Sequence, residues 1–312
     1  MTERNVAIVT GRANPELAEK IAKDLDMRLL EVEIAQFKDG EIQAYYNETI
    51  RGKYVFIIQS TFGPAENWIE LLILIDAAKR ASAYKIIAVL PYFGYARQDR
   101  KDKPRTSIGA KLMANLLIAA GVDRVITMDL HADQIQGFFE IPVDHMYSSN
   151  VFYPYIQSLN LNNLCMVSPD TGGTKRASTY AKALDCDLAI GFKQRVKQNE
   201  VANLQIIGDV KDKNCIIVDD IIDTGGTLIK AANKLKENGA QSVMAICAHG
   251  LLSGDGLTNI ENSSIDKLIL TDTIPFRRES KKVEVVTVAH LLADVIKSVL
   301  DRTSISSHFY FN

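Results

Sequence analysis

Asp219, Asp220 and Asp223 put three carboxylates within five residues, and Thr224-Gly225-Gly226-Thr227 follows at once. That tetrapeptide offers backbone N–H groups uncrowded by side chains, two hydroxyls and a helix N-terminus. These are the parts of a phosphate cradle. Carboxylates beside such a cradle repel the phosphate, so they face something else: sugar hydroxyls, or a cation. A phosphate joined to a polyol is a phosphosugar. If the stretch were only a capped turn, three acids would crowd a buried strand with no partner, at a cost.

A second loop of the same make, Asp170-Thr171-Gly172-Gly173-Thr174, occurs upstream. Two such loops on one sheet edge suit a ligand with phosphate at one end and pyrophosphate at the other. In Tyr95-Ala96-Arg97-Gln98-Asp99-Arg100-Lys101, aromatics run into cations. There Arg97 and Gln98 read as triphosphate and base contacts, and Lys101, Lys103 and Arg105 as a solvated loop. His131, just past Asp129-Leu130, is a candidate ligand for a metal or a phosphate. Lys193 and Arg195 stand two apart and share a face of an extended arm, the pattern of a flap. An exposed charged hairpin fits the same residues. Phe37-Lys38-Asp39-Gly40-Glu41 carries an Asp-Gly turn signal. It is either a plain hairpin tip or an aromatic ring beside two acids, able to clamp a base and bind an amine.

The elements that must hold these groups follow from hydrophobic pattern. Cys215 to Val218 is an apolar run of buried-strand length. Leu228, Ala231, Ala232 and Leu235 recur at helical spacing, and Asn238-Gly239 stops that helix. The acids therefore sit at a strand's carboxyl end, where open α/β sheets bind ligands. Further strands are expected at Val6–Val9, Tyr54–Gln59, Lys85–Leu90, Arg124–Met128, Cys165–Pro169, Leu188–Phe192, Ser242–Cys247, Leu268–Thr271 and Val283–Val288, with His249 to Gly254 as a loop. Lys53-x-x-x-Ile57-Ile58-Gln59-Ser60 repeats the layout of Lys213-x-x-x-Ile217-Val218-Asp219-Asp220. This points to a degenerate internal duplication with the acids kept only in the second half. Val143 to Asn150 reads as the joint, dividing the chain into domains 1–146 and 147–312, with the last helix and tail packing back on the first.

Composition narrows the class. The 312 residues are 47% hydrophobic and 24% charged, enough for a full core in one large or two medium α/β domains. A net charge of -2 gives no broad attraction to nucleic acid or membrane. No apolar run reaches membrane-spanning length, and Met1-Thr2-Glu3-Arg4-Asn5 does not begin a signal peptide. Cys165, Cys186, Cys215 and Cys247 lie scattered, without CxxC spacing. They read as reduced buried thiols of a cytoplasmic protein rather than a metal site.

The acid and glycine motif resembles the phosphoribosyl-pyrophosphate (PRPP) binding motif shared by type I phosphoribosyltransferases and ribose-phosphate pyrophosphokinases. Phe37 to Glu41, Tyr95 to Lys101, Asp129-Leu130-His131-Ala132, Asp170 to Gly173 and Lys193-Gln194-Arg195 add five more motifs in order. From about Val6 to the tail, the chain resembles the ribose-phosphate pyrophosphokinases. The resemblance implies an α/β fold of two similar phosphoribosyltransferase-like domains, each a mainly parallel sheet flanked by helices. It implies transfer of pyrophosphoryl from ATP to ribose 5-phosphate with Mg²⁺, giving PRPP and AMP. Lys193 and Arg195 match the catalytic flap cations, with Arg195 also at ribose 5-phosphate. His131 and Asp170 match the metal ligands. Arg97, Gln98 and His131 match ATP contacts. Phe37, Asp39 and Glu41 match the adenine clamp, supplied by a neighbouring subunit of a homo-oligomer, a hexamer. Asp219 and Asp220 match the ribose-hydroxyl acceptors, and Asp223, Thr224, Gly225, Gly226 and Thr227 the 5-phosphate loop.

Gly225 stands where many members carry Ala, an exchange expected to change little. Pro104 and His308 depart from the pattern in the two stretches where the family reads phosphate and ADP: Lys101 to Ser107, and the tail near Ser304, Ser306 and Phe309. A phosphoribosyltransferase would share the acid motif but would not need Phe37 to Glu41, Arg97-Gln98 or the duplicated half. A non-catalytic regulator should have lost the flap cations or metal ligands, which this chain keeps.

Overall fold

The computed structural model describes residues 5–194 and 203–306, with backbone alone at 193, 194 and 203. The chain forms two compact units. The first runs to Tyr147 and takes in Thr273–Pro275 and Val288–Ile305; the second comprises the described residues of Ser148–Asp272 and Phe276–Thr287.

In the first unit, β1 (Val6–Thr10), α1 (Pro15–Asp24), the hairpin β2 (Val32–Gln36) and β3 (Ile42–Tyr46), β4 (Tyr54–Ile58), α2 (Glu66–Arg80), β5 (Lys85–Leu90), α3 (Gly109–Ala120), β6 (Arg124–Met128) and β7 (Val143–Met146) follow in order. The parallel sheet is ordered β1-β4-β5-β6-β7, with β2-β3 apart. Pro15 opens α1, where its missing N–H costs nothing. Leu17 and Ile21 of α1 are buried, each contributing about 2 kcal/mol.

The second unit holds α4 (Ser149–Ser158), β8 (Leu164–Ser168), α5 (Thr174–Leu184), β9 (Asp187–Gln194), β10 (Asn203–Ile207), β11 (Asn214–Ile222), α6 (Gly226–Glu237), β12 (Ser242–Gly250), α7 (Gly256–Glu261), β13 (Lys267–Thr271) and β14 (Val283–Val286). Its sheet is ordered β10-β9-β8-β11-β12-β13-β14, parallel except for β10 against β9. The last helix, α8 (Ala289–Asp301), belongs to the first unit and packs on α1.

The apolar run in β11 has a physical cause. Cys215 and Ile217 pack with Leu228, Ala231 and Leu235 of α6 on one face. Ile216 and Val218 pack with Phe152 and Tyr180 on the other. A strand covered on both faces cannot alternate apolar with polar.

The duplication is visible strand for strand. β1-β4-β5-β6-β7 in one sheet corresponds to β8-β11-β12-β13-β14 in the other, and in each a hairpin follows the helix after the first strand, β2-β3 after α1 and β9-β10 after α5. β4 starts directly after Lys53 and β11 directly after Lys213. Two strands run further than their patterns suggest. β11 continues through the acids to Ile222, and β12 continues through His249 to Gly250. The expected loop therefore starts only at Leu251. The pairs Ile221↔His249 and Ile222↔Gly250 hold the two extensions together.

Candidate active site

In the second sheet, the chain leaves β8 for β9 on one side and leaves β11 for β12 on the other. The carboxyl ends of β8 and β11 thus flank the topological switch point, where crevices open in such sheets. β8 stops pairing with β11 at Val167↔Ile217. Beyond that pair, β11 carries the acids and β8 gives way to the Asp170 loop.

Asp220 is buried and Asp219 partly so. Asp219 pairs in register with Cys247, while the Asp220 N–H turns to Asp219 Oδ1 at 2.9 Å. Arg176, from the first turn of α5, donates through Nη1 to Asp220 Oδ1 at 2.9 Å and lies 3.7 Å from Asp219 Oδ1. Burial, then the charge of Asp220, pushes the Asp219 carboxyl up to about 7, with Arg176 pulling against both. Burial first, and then the same two acids, also raise the Cys247 thiol. Two adjacent carboxylates in a low-dielectric setting resist double ionisation unless a cation or hydrogen-bond donors attend them. Sugar hydroxyls are such donors.

Past Asp223, Gly225 takes φ +79 and α6 opens at Gly226. In that left-handed conformation a Cβ is strained, and one at Gly225 would also lie 3.3 Å from Ile260 Cδ1. The expectation that Ala would serve equally well at 225 is corrected by this backbone. The opening of α6 aims backbone N–H groups outward beside the Thr224 and Thr227 hydroxyls, an arrangement suited to an anion. Asn259 Nδ2 donates to Thr224 O at 3.5 Å and steadies the turn from α7.

The Asp170 loop differs. Asp170 Oδ1 accepts the Gly172 N–H at 2.9 Å and the Gly173 N–H at 3.2 Å, so the loop satisfies its own donors. Ser168 Oγ donates to Asp170 O at 2.6 Å, and a Cβ at Gly173 would lie 3.0 Å from that hydroxyl. The loop therefore offers a pinned carboxylate more than a phosphate cradle.

In the first unit, His131 is exposed just past β6. The turn before it is held by the Leu130 N–H, which donates to His145 Nε2 at 2.8 Å. Arg97 and Gln98 are exposed beyond β5. The Ala110 N–H donates to Gln98 O at 3.2 Å, tying this turn to the start of α3. Phe37, Asp39 and Glu41 form the tip between β2 and β3, closed by the Phe37 N–H to Glu41 O at 2.8 Å. Phe37 is 52% exposed at that tip. The Lys193 backbone lies in β9 opposite Leu204. Its side chain and all of Arg195 lie outside the described residues, as do His308 and Phe309 of the tail.

Among the described residues no group of three or more His, Cys, Asp or Glu could cage a metal ion. Asp170, partly exposed and fixed through one oxygen, suits Mg²⁺, which takes one or two carboxylates and keeps waters or substrate phosphates. The imidazole of His131 is a less usual donor for so hard an ion.

Arg176 was not singled out from sequence. Its one signal is a cation three residues after Gly173, in the first turn of a helix beside an acid pair. The Gln59-Glu70-Arg12 cluster was also missed. It fills the first unit's counterpart of the acid site: Gln59 Oε1 accepts the Ala13 N–H at 3.2 Å, and Glu70 Oε2 meets Arg12 Nε at 2.6 Å. Ser60, the counterpart of Asp220, donates to Thr273 O at 2.6 Å. A Cβ at Gly11 would lie 2.4 Å from Gln59 Oε1, so no room is left there for a sugar.

These sheets and loops define a phosphoribosyltransferase-like α/β protein. A family model for the N-terminal domain of ribose phosphate pyrophosphokinase matches residues 6–121, and one for the phosphoribosyl synthetase-associated domain matches 193–310. A ribose-phosphate pyrophosphokinase of Porphyromonas gingivalis is 52% identical over 310 residues, 99% of each chain. One from Campylobacter jejuni is 51% identical over 307 residues, 98% of this chain and 99% of the other. The crystal structure of a phosphoribosylpyrophosphate synthetase from Mycobacterium smegmatis superposes with a TM-score of 0.91 at 39% identity, over 96% of this chain and 100% of that one. The chain belongs to the ribose-phosphate pyrophosphokinase family.

Proposed function

We propose that the protein transfers the pyrophosphoryl group of Mg-ATP to the 1-hydroxyl of ribose 5-phosphate, giving PRPP and AMP. The observation that carries this reading is the acid pair and glycine turn at the switch point, in a chain of this family. Asp219 and Asp220 accept from the ribose 2- and 3-hydroxyls. The loop from Asp223 to Thr227, with Gly225, Gly226 and the N–H groups at the start of α6, takes the 5-phosphate.

The sugar's 1-oxygen attacks the β-phosphorus of ATP. Its bond to the α,β-bridging oxygen breaks, AMP leaves, and the hydroxyl proton passes to solvent. Charge builds on equatorial and bridging oxygens in a loose transition state, so position and positive charge matter more than a strong base. Lys193 and Arg195 supply that charge from the arm, and Arg195 also contacts ribose 5-phosphate. Arg97, Gln98 and His131 bind ATP. Asp170 and His131 are the residues that would hold Mg²⁺, which supplies charge neutralisation on the phosphates. Phe37, Asp39 and Glu41 receive the adenine of a neighbouring subunit in a homohexamer, and the enzyme works in the cytoplasm. None of the helices among the described residues is long and apolar enough to cross a membrane.

The test is release of AMP and formation of PRPP from ATP, dependent on both ribose 5-phosphate and Mg²⁺. Conversion of PRPP and a nucleobase to a nucleotide, without that activity, would favour a phosphoribosyltransferase.

A further inference from the structure

We infer that Arg176 is a positioning residue for ribose 5-phosphate: it favours the charged forms of Asp219 and Asp220 and aims them so that both accept sugar hydroxyls. The inference rests on the proposed reading of the acid pair and extends it to a residue outside the acid and glycine motif.

Three observations carry it. Arg176 reaches from α5 to β11, 44 residues on, and its Nη1 lies 2.9 Å from Asp220 Oδ1 and 3.7 Å from Asp219 Oδ1. One guanidinium nitrogen therefore addresses both members of the pair. Next, the pair is poorly solvated: the side chains of Asp219 and Asp220 are 22% and 6% exposed. Third, α5 begins at Thr174, directly after the Asp170 loop, so the helix that sets Arg176 also sets that loop. Among the described residues, the titratable and charged groups that face the pair include each other, Arg176 from α5 and Cys247 from β12.

The physical consequence is simple. Two neighbouring, poorly solvated carboxylates repel, and losing the cation shifts one of them further toward its protonated form. A protonated acid is a poorer acceptor for a hydroxyl, and an unanchored one loses its aim. Arg176 opposes both effects through the acid pair. It should act on sugar affinity and leave the chemical step alone.

The experiment compares the wild-type protein with Arg176→Gln and Arg176→Lys. Calorimetric titration with ribose 5-phosphate reads affinity without turnover, and steady-state kinetics separates the two substrates. The Gln variant should lose about ten- to a hundredfold in ribose 5-phosphate affinity, the weight of a charge-assisted contact. Its KM for ATP and its kcat should stay within a few-fold of wild type. The Lys variant should recover part of the loss, since it restores charge but not the planar fork. Unchanged sugar affinity in both variants overturns the inference, as does a fall of kcat with a parallel rise of both KM values. If the Gln variant does not fold, the Lys variant decides by the same criteria. A wild type that binds ribose 5-phosphate but makes no PRPP would sink the proposed reaction while leaving the role of Arg176 to the titration. A wild type that does not bind the sugar sinks both.

Discussion

Gln59 Nε2 donates to Glu70 Oε1 at 3.1 Å, and both side chains are buried in the first unit. Gln59 stands where the second unit has Asp219. An amide replaces an acid there, and it turns inward to a carboxylate already held by Arg12. The first half thus kept the architecture of a sugar site and filled its space with its own side chains.

Glu70→Ala should therefore cost stability rather than activity. The substitution removes charge-assisted bonds to Arg12 and leaves the Gln59 amide with a lost acceptor. The loss should be about 2 kcal/mol, reduced from a fully buried pair because the Arg12 side chain is partly solvated. Urea denaturation measures it. PRPP synthesis falling with no shift in the unfolding midpoint would assign the cluster a part in the chemistry.

Gly225→Ala is predicted to be far from neutral. A non-glycine residue in the left-handed region costs about 1–2 kcal/mol, and here it also crowds Ile260. Sugar affinity should fall several-fold, read by titration with ribose 5-phosphate. Equal affinity would mean that the turn flips to a conformation Ala accepts.

The Asp219 carboxyl, raised to about 7, gives stability and binding opposite dependences on pH. An acid whose folded value lies above its unfolded one favours the fold when protonated. That contribution is fully present below about pH 4, the ordinary aspartate range, and is lost as pH rises through about 7. Ribose 5-phosphate affinity should move the other way, strengthening over the upper part of the same window as the acid ionises. Asp219→Asn should flatten the stability trend. A stability profile that Asp219→Asn leaves unaltered would place the titration elsewhere.

Lys193→Ala should lower kcat by about two to three orders of magnitude with little change in ATP affinity, if the arm acts chiefly in the transition state. Matched losses in ATP binding and turnover would mark an ordinary binding residue.

Phe37→Ala should weaken ATP binding, and activity of the wild type should fall on dilution to single chains. Phe37 sits largely in solvent at its hairpin tip, so its ring needs a surface from elsewhere to form a clamp. A fully active monomer would contradict the shared site.

Sequence by itself determined the parallel α/β class, the position of the acids and glycine turn at a strand's end, the helix from Leu228 to Leu235 and the repeat of one half in the other. These are local properties: apolar runs, 3.6-residue spacing and turn residues speak for themselves over a dozen positions. Only the tertiary structure decided that Arg176 addresses Asp220, that Gln59 and Glu70 close the first half's site, and that Gly225 needs a left-handed backbone. Arg176 and Asp220 stand 44 residues apart along the chain and Arg12 and Glu70 58 apart; they meet through sheet order and helix placement, and no local periodicity records such meetings. The extension of β11 past its acids was hidden for a related reason: polar residues break an apolar pattern, yet the ladder with β12 carries the strand on through His249 and Gly250.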